Sequence, residues 1–251
     1  MARPLLALLA LFLVSAREPV LVPDVSQRNI DIVYSFTGAE LLLFGAIIYP
    51  DGRQPSDDAE IAVVLRGPTT PLIVREKRKL FGLIWANADS TRFLSVPGYY
   101  AVASSRPLDK MVDERTAAIY ELGLRNIQLS PADAGDANSQ TRFESGLVDM
   151  RLKSQLYSDH PGSVEITGGV LYRAHLYLPA RVPTGNYTAE TFLIRNGKIL
   201  AVATRDIRIR KSGFERFVAQ SAKHSPLLYG FSAILLSLLL GVGASVVSKR
   251  I

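Results

Sequence analysis

A metal or acid–base site needs imidazoles, carboxylates or thiols that converge, and this chain of 251 residues offers few of them. Its three histidines, His160, His175 and His224, are far apart in sequence, and beyond Asp159 none has a Cys, Asp or Glu at ligand spacing. Zinc and copper sites need several such ligands together, so the spacing argues against a metal and no cofactor is expected. His175, inside an alternating stretch, reads as a plain sheet residue. Asp57, Asp58 and Glu60 cluster at a Pro- and Gly-rich turn. Calcium would want more oxygen ligands than this loop offers, so solvation is the simpler role. The chain has no Gly-x-Ser-x-Gly elbow, Ser-x-x-Lys acylation motif or phosphate-binding glycine loop. Asn186-Tyr187-Thr188 matches a glycosylation acceptor, which matters only where a secretory pathway has the machinery. The expectation is a protein that is not an enzyme.

Two basic runs could do electrostatic work. Arg75-Glu76-Lys77-Arg78-Lys79 precedes the lone tryptophan, Trp85, and Arg205, Arg208, Arg210 and Lys211 lie on the last strand before the C-terminal segment. Solvated strand faces that resist aggregation are the plainer reading. The sharper one is contact with anionic lipid headgroups, where each near-surface cation is worth about 1 kcal/mol and is screened by salt. A third pattern suits helix packing: Ala233, Ser237, Gly241 and Ser245 recur every four residues. Small residues at that spacing make a groove into which another helix can come close, so self-association or a membrane-protein partner is expected.

That stripe lies within a segment, Leu227 to Val247, that carries no charged side chain and is followed by Lys249-Arg250. At ~1.5 Å per residue it spans roughly 31 Å, matching a hydrocarbon core of ~30 Å. A transmembrane helix is expected over 226–248, with 249–251 as a cytoplasmic tail. Ser225-Pro226 supplies a cap and a first-turn proline, Tyr229 an interfacial aromatic, and 212–225 an amphipathic connector with Phe214, Phe217, Val218 and Ser221 on one face. The N-terminus reads as a secretory signal over 1–16: Arg3, an apolar stretch from Pro4 to Val14, and the small-residue site Val14-Ser15-Ala16. An uncleaved anchor is the alternative, but eleven apolar residues are too few to span. Flanking charge is nearly balanced by Arg216 and Lys223, so the signal sets the orientation, with the body in the periplasm.

The chain contains no cysteine, so an exported body of this size is held by packing alone, which favours a bacterial envelope over an animal cell surface. Hydrophobic residues make up 48% of it, ample for a core. Without Arg3, Lys249 and Arg250 the net +6 falls to +3, too mild to imply a nucleic-acid partner.

The body alternates with the period of strands over Ile30–Phe36 and runs apolar over Leu41–Tyr49, with further strands at 60–65, 99–103 and, more weakly, 71–80 and 92–96. Helical spacing takes over at 107–123 and again from Phe143 to Tyr157, ending before Pro161-Gly162. A meander follows over 164–166, 171–178, 187–194 and 199–209, its last hairpin closed by Asn196-Gly197. The fold expected is mainly β: immunoglobulin-like sandwich lobes at 17–106 and 161–211 around a helical insertion at 107–160. Val96-Pro97-Gly98-Tyr99 and Val182-Pro183-Thr184-Gly185-Asn186-Tyr187 echo one another, each placing a tyrosine where its hydroxyl can close a backbone hydrogen bond. The echo favours two lobes. A single sandwich interrupted by the insertion is the other possibility.

Phe36-Thr37-Gly38-Ala39-Glu40, Leu65-Arg66-Gly67-Pro68, Gly82-Leu83-Ile84-Trp85-Ala86-Asn87 and the run Val96–Leu108, with Leu171-Tyr172-Arg173-Ala174 and Leu228-Tyr229-Gly230, resemble an uncharacterised alphaproteobacterial transmembrane protein family. The resemblance implies a single-pass inner-membrane protein and brings no catalytic or binding residues with it. Taken together, the residues point to a membrane-anchored periplasmic interaction protein, such as an accessory subunit of a membrane transporter or envelope complex. An extracytoplasmic sensor or ligand-binding module is the alternative, and an envelope hydrolase assembled from distant residues the third.

Overall fold

The computed structural model describes residues 19–32, 37–50, 52, 59–132, 136–211, 218 and 221–248. The signal segment, the turn at 53–58, most of the connector and the tail at 249–251 lie outside the described residues. The chain forms two compact units, one of Met1–Ile30 with Thr37–Ile209, the other of Asp31–Phe36 with Arg210–Ile251.

The first unit is mainly β. One sheet has the order β1 (Val20–Val25), β3 (Gly38–Ile48), β11 (Leu171–Pro179), β10 (Val164–Thr167), antiparallel throughout. The second runs β2 (Asn29–Ile32), β13 (Lys198–Lys211), β12 (Gly185–Arg195), β4 (Glu60–Arg66), β7 (Tyr100–Ser104), β9 (Tyr157–Pro161). The two pack together where β11 meets β7, β10 meets β4 and β1 meets β12. β11 alternates buried and exposed residues, as a strand with one wet face should, whereas β7 is buried along its whole length because both its faces are covered.

Strands from both ends of the sequence alternate in each sheet: β3 pairs with β11, and β4 with β12. The described strands of 17–106 and 161–211 therefore share the same two sheets. The expected C-terminal meander is likewise divided, β10–β11 in one sheet and β12–β13 in the other. Its Asn196-Gly197 turn is as expected, with φ of 50° and 76° matching the left-handed positions of a tight hairpin.

The insertion differs from its sequence reading in two places. The helix expected over 107–123 is two short ones, α1 (Leu108–Met111) and α2 (Glu114–Ile119), followed by a 3-10 turn at Leu124–Asn126. Val112 is extended and bridges Gly197, and Asp113 restarts the helix by accepting the Thr116 N–H at 2.8 Å. The second helix, α3 (Ala137–Lys153), stops short of Tyr157 because Gln155 turns left-handed at φ 59°. Tyr157 instead opens β9, parallel to β7. Arg66 ties the α2 end to the sheet, pairing with Glu121 at 2.9 Å and Glu190 at 3.4 Å.

Residues 69–97 form a long hairpin, β5 (Thr69–Leu80) and β6 (Ile84–Pro97), joined at its base by β8 (Ser130–Pro131). α3 covers its lower part through a cluster of Phe93, Val96, Phe143 and Leu147.

In the second unit the principal element is α4, Pro226–Ser248.

Candidate functional site

Helix α4 starts where its sequence signals put it. Ser225 offers its carbonyl to the Tyr229 N–H at 3.0 Å, closing the first turn, and Pro226 occupies a position whose N–H has no helical partner to lose. Its side chains, described as far as Val242, are almost all in the open: Leu227 is 88% exposed, Phe231 69% and Leu240 65%. As far as Val242, no face of the helix is reserved for a core. Ala233, Ser237 and Gly241 are exposed too, and a methyl group added at Gly241 would meet nothing within 4 Å. The side chain of Ser245 lies outside the described residues. Among the described residues no helix is long and apolar enough to cross a membrane.

The basic residues of β13 do not share one environment. Arg205 lies on the side of the strand that buries Ile207 and Ile209, and its Nε donates to the Pro23 carbonyl at 2.8 Å. Arg208 points the other way and donates to Asn186 Oδ1 at 3.2 Å. Arg210 belongs to the second unit, where it lies 3.8 Å from Asp31. The Lys211 side chain is outside the described residues.

Folding brings together two histidines that sequence spacing kept apart. His160 on β9 and His175 on β11 line one open depression of about 640 Å³, with Glu40 and Ser163 beside them. His175 Nδ1 lies 2.7 Å from Glu40 Oε1, so the carboxylate of β3 orients the imidazole of the neighbouring strand. His175 is, as expected, a strand residue, on the exposed face of β11. The signal lay in strand register, since His175 pairs with Leu42 and so sits diagonally from Glu40. The Ser163 hydroxyl is engaged elsewhere, donating to the His160 carbonyl. Among the described residues no group of three or more His, Asp or Glu could hold a metal ion.

A second depression, about 670 Å³, opens between the α1–α2 segment and β9. Asp109, Asp113, Glu114, Asp159 and Arg125 line it. Hydrogen bonds from Thr116 hold the Asp113 carboxyl below the usual range, in keeping with its cap. Desolvation pushes the Asp159 carboxyl up, against a smaller opposing pull from His160. Carboxylates in contrasting environments can bind a cation-bearing ligand or move a proton, but Asp113 already has a structural duty.

The third exposed feature is the far end of the β5–β6 hairpin. Phe81 is 96% exposed, Leu83 85%, Ile84 66% and Trp85 63%. Sequence reading singled out the basic run and the tryptophan but not the apolar tip between them.

The family model described as Putative transmembrane protein (Alph_Pro_TM) matches residues 20–250, and the chain belongs to that family. No curated protein matches it.

Proposed function

We propose that this chain is a membrane-anchored interaction protein of the bacterial envelope, with α4 as its single span and the sandwich as a periplasmic, immunoglobulin-like body. The observation that carries the reading is the exposure of α4. Ten large apolar side chains between Leu227 and Val242 are at least half exposed. Each is worth about 1.5–3 kcal/mol when moved out of water, so the helix calls for an apolar surrounding. No described helix qualifies by itself as a span, but the sequence from Leu227 to Val247 carries no charge and the α4 backbone continues to Ser248 over 23 residues, about 34 Å, against a hydrocarbon core of ~30 Å. Lys249 and Arg250 follow as a cytoplasmic anchor, and the signal segment at 1–16 gives the orientation across the inner membrane.

Within that setting the chain works by contact, as an accessory subunit of a membrane transporter or envelope complex. The small-residue stripe is the surface at which a partner helix would pack, because in lipid close packing replaces the hydrophobic drive. Affinity purification of the tagged full-length protein from native membranes in mild detergent tests this. A stoichiometric membrane protein should accompany it, and purification alone would count against the accessory role.

A second reading, an extracytoplasmic sensor or ligand-binding module, is favoured by the depression holding His160, His175 and Glu40. The carboxylates around Asp159 keep a hydrolase as a third, more distant one. Ligand-dependent stabilisation of the body would raise the sensor, and turnover lost in Asp159→Asn the hydrolase.

A further inference from the structure

The β5–β6 hairpin is braced where α3 reaches it and bare beyond. Arg142 on α3 lies 3.2 Å from Glu76 Oε2 and 3.5 Å from Asp89 Oδ2, clamping the two strands at mid-height. Past that clamp, from Lys77 to Ala88, every described side chain except the half-buried Ala86 is exposed. These twelve residues contain Lys77, Arg78 and Lys79 and no acid. The register pairs Lys77 with Asn87, Arg78 with Ala86 and Lys79 with Trp85, leaving Phe81, Gly82 and Leu83 as the turn. Lys79 Nζ sits 5.3 Å from the Trp85 ring centre, where the cation is attracted to the face of the indole.

Phe81 makes the turn at φ 50°, followed by Gly82 at φ 72°. A bulky side chain in the left-handed region is strained, and glycine or asparagine would turn the chain more cheaply. Phe81 is 96% exposed, so among the described residues nothing packs against its ring.

We propose that the hairpin tip is a lipid-inserting wedge. Phe81, Leu83 and Ile84 enter the acyl boundary of an anionic bilayer, Trp85 lies at the interface, and Lys77 and Lys79 meet lipid phosphates, while Arg78 stays paired with Glu76 at 3.0 and 3.2 Å. The order along the hairpin is apolar, then Trp85 level with Lys79, then Lys77, and it follows the order of environments met on leaving a membrane. From Lys77 to the turn at Phe81 the hairpin reaches at most about 13 Å, more than the ~5–10 Å depth of the headgroup–acyl boundary. The absence of acid in this stretch complements anionic lipid. The inference rests on the membrane-anchored reading only in that the chain meets a bilayer at all.

Trp85 is the only tryptophan, so its fluorescence reports the tip directly. The full-length protein is reconstituted in phosphatidylglycerol-containing vesicles, with brominated acyl chains placed either in those vesicles or in a second population added to them. Trp85 emission should shift to the blue and lose most of its intensity with at least one population. Both effects should disappear in Phe81→Asp/Leu83→Asp, which changes only exposed side chains and should retain the circular dichroism of the parent. Raising salt from 0.1 to 1 M shortens the screening length from ~10 to ~3 Å and should weaken the quenching. Water-like, unquenched emission with both populations would overturn the wedge and leave the tip for a protein partner. Equal quenching in the double variant, or in neutral phosphatidylcholine vesicles, would also overturn it. Alkaline extraction of the same vesicles scores α4 separately: a chain that stays in the membrane with Trp85 unquenched refutes the wedge alone.

Discussion

Four buried tyrosines tie the β body together through hydrogen bonds to backbone groups. Tyr187 OH donates to the Pro183 carbonyl at 2.6 Å, the local closure its corner motif led us to expect, while Tyr99 OH crosses to the Tyr177 carbonyl in the other sheet at 2.6 Å. Tyr157 OH donates to Pro97 O at 2.9 Å. Tyr100 OH donates to Glu121 O at 2.7 Å and accepts the Gly123 N–H at 3.1 Å, so Tyr100→Phe leaves two backbone groups unpaired. That variant should lose about 1–3 kcal/mol in denaturant unfolding. Desolvation pushes all four phenols up, Tyr157 to about 12. Above pH ~10 the unfolded phenols ionise while the folded ones keep their protons, so stability should fall as pH rises through that range, measured by the same unfolding. At Gly45 an added methyl would come within 2.5 Å of the Val22 carbonyl, and Gly45→Ala should part β1 from β3. Sequence picked out the two Pro-Gly-Tyr corners correctly as tyrosine anchors. It could not show that they meet, with the Tyr99 and Tyr187 rings 5.9 Å apart, because that contact depends on sheets built from both ends of the chain.

The elements divide by how much of each is covered. β4 and β7 were legible as apolar runs because both faces are buried, and α3 because Phe143 and Leu147 repeat with the helical period. The outer half of the hairpin was not: exposed on both faces, it has no alternation to read, and 71–80 and 92–96 looked like two weak strands. What steadies it is charge. Hydrogen bonding from Arg78, with Arg142 adding to it, holds the Glu76 carboxyl below the usual range. The contribution is therefore present above the ordinary glutamate pKa of about 4.3 and lost as pH falls through the lower folded value. Glu76→Gln should speed amide hydrogen exchange in β5 and β6 near the clamp at pH 7, and the difference from the parent should close in acid. Within α4 the corresponding test is Gly241→Ile, which fills the small-residue stripe. It should abolish any dimer or complex signal in mild detergent while membrane insertion persists, whereas an unchanged signal would remove the stripe from the account.

At the scale of the molecule, the mainly β body was legible from periodicity, and the sharing of its sheets by strands from both ends of the sequence only from pairing. The family match over residues 20–250 agrees with the resemblance carried by short motifs spread along the chain. The proposed topology has α4 crossing the inner membrane with the body outside the cytoplasm. A chain without cysteine allows that to be mapped one position at a time. Single cysteines at Ser225, at Ser237 and after Ile251 would be challenged with a membrane-impermeant maleimide in cells with a permeabilised outer membrane. If α4 spans the inner membrane, Ser225→Cys should be labelled, Ser237→Cys protected, and the C-terminal cysteine labelled only after the inner membrane is opened. Labelling of Ser237→Cys in intact inner membranes would contradict it.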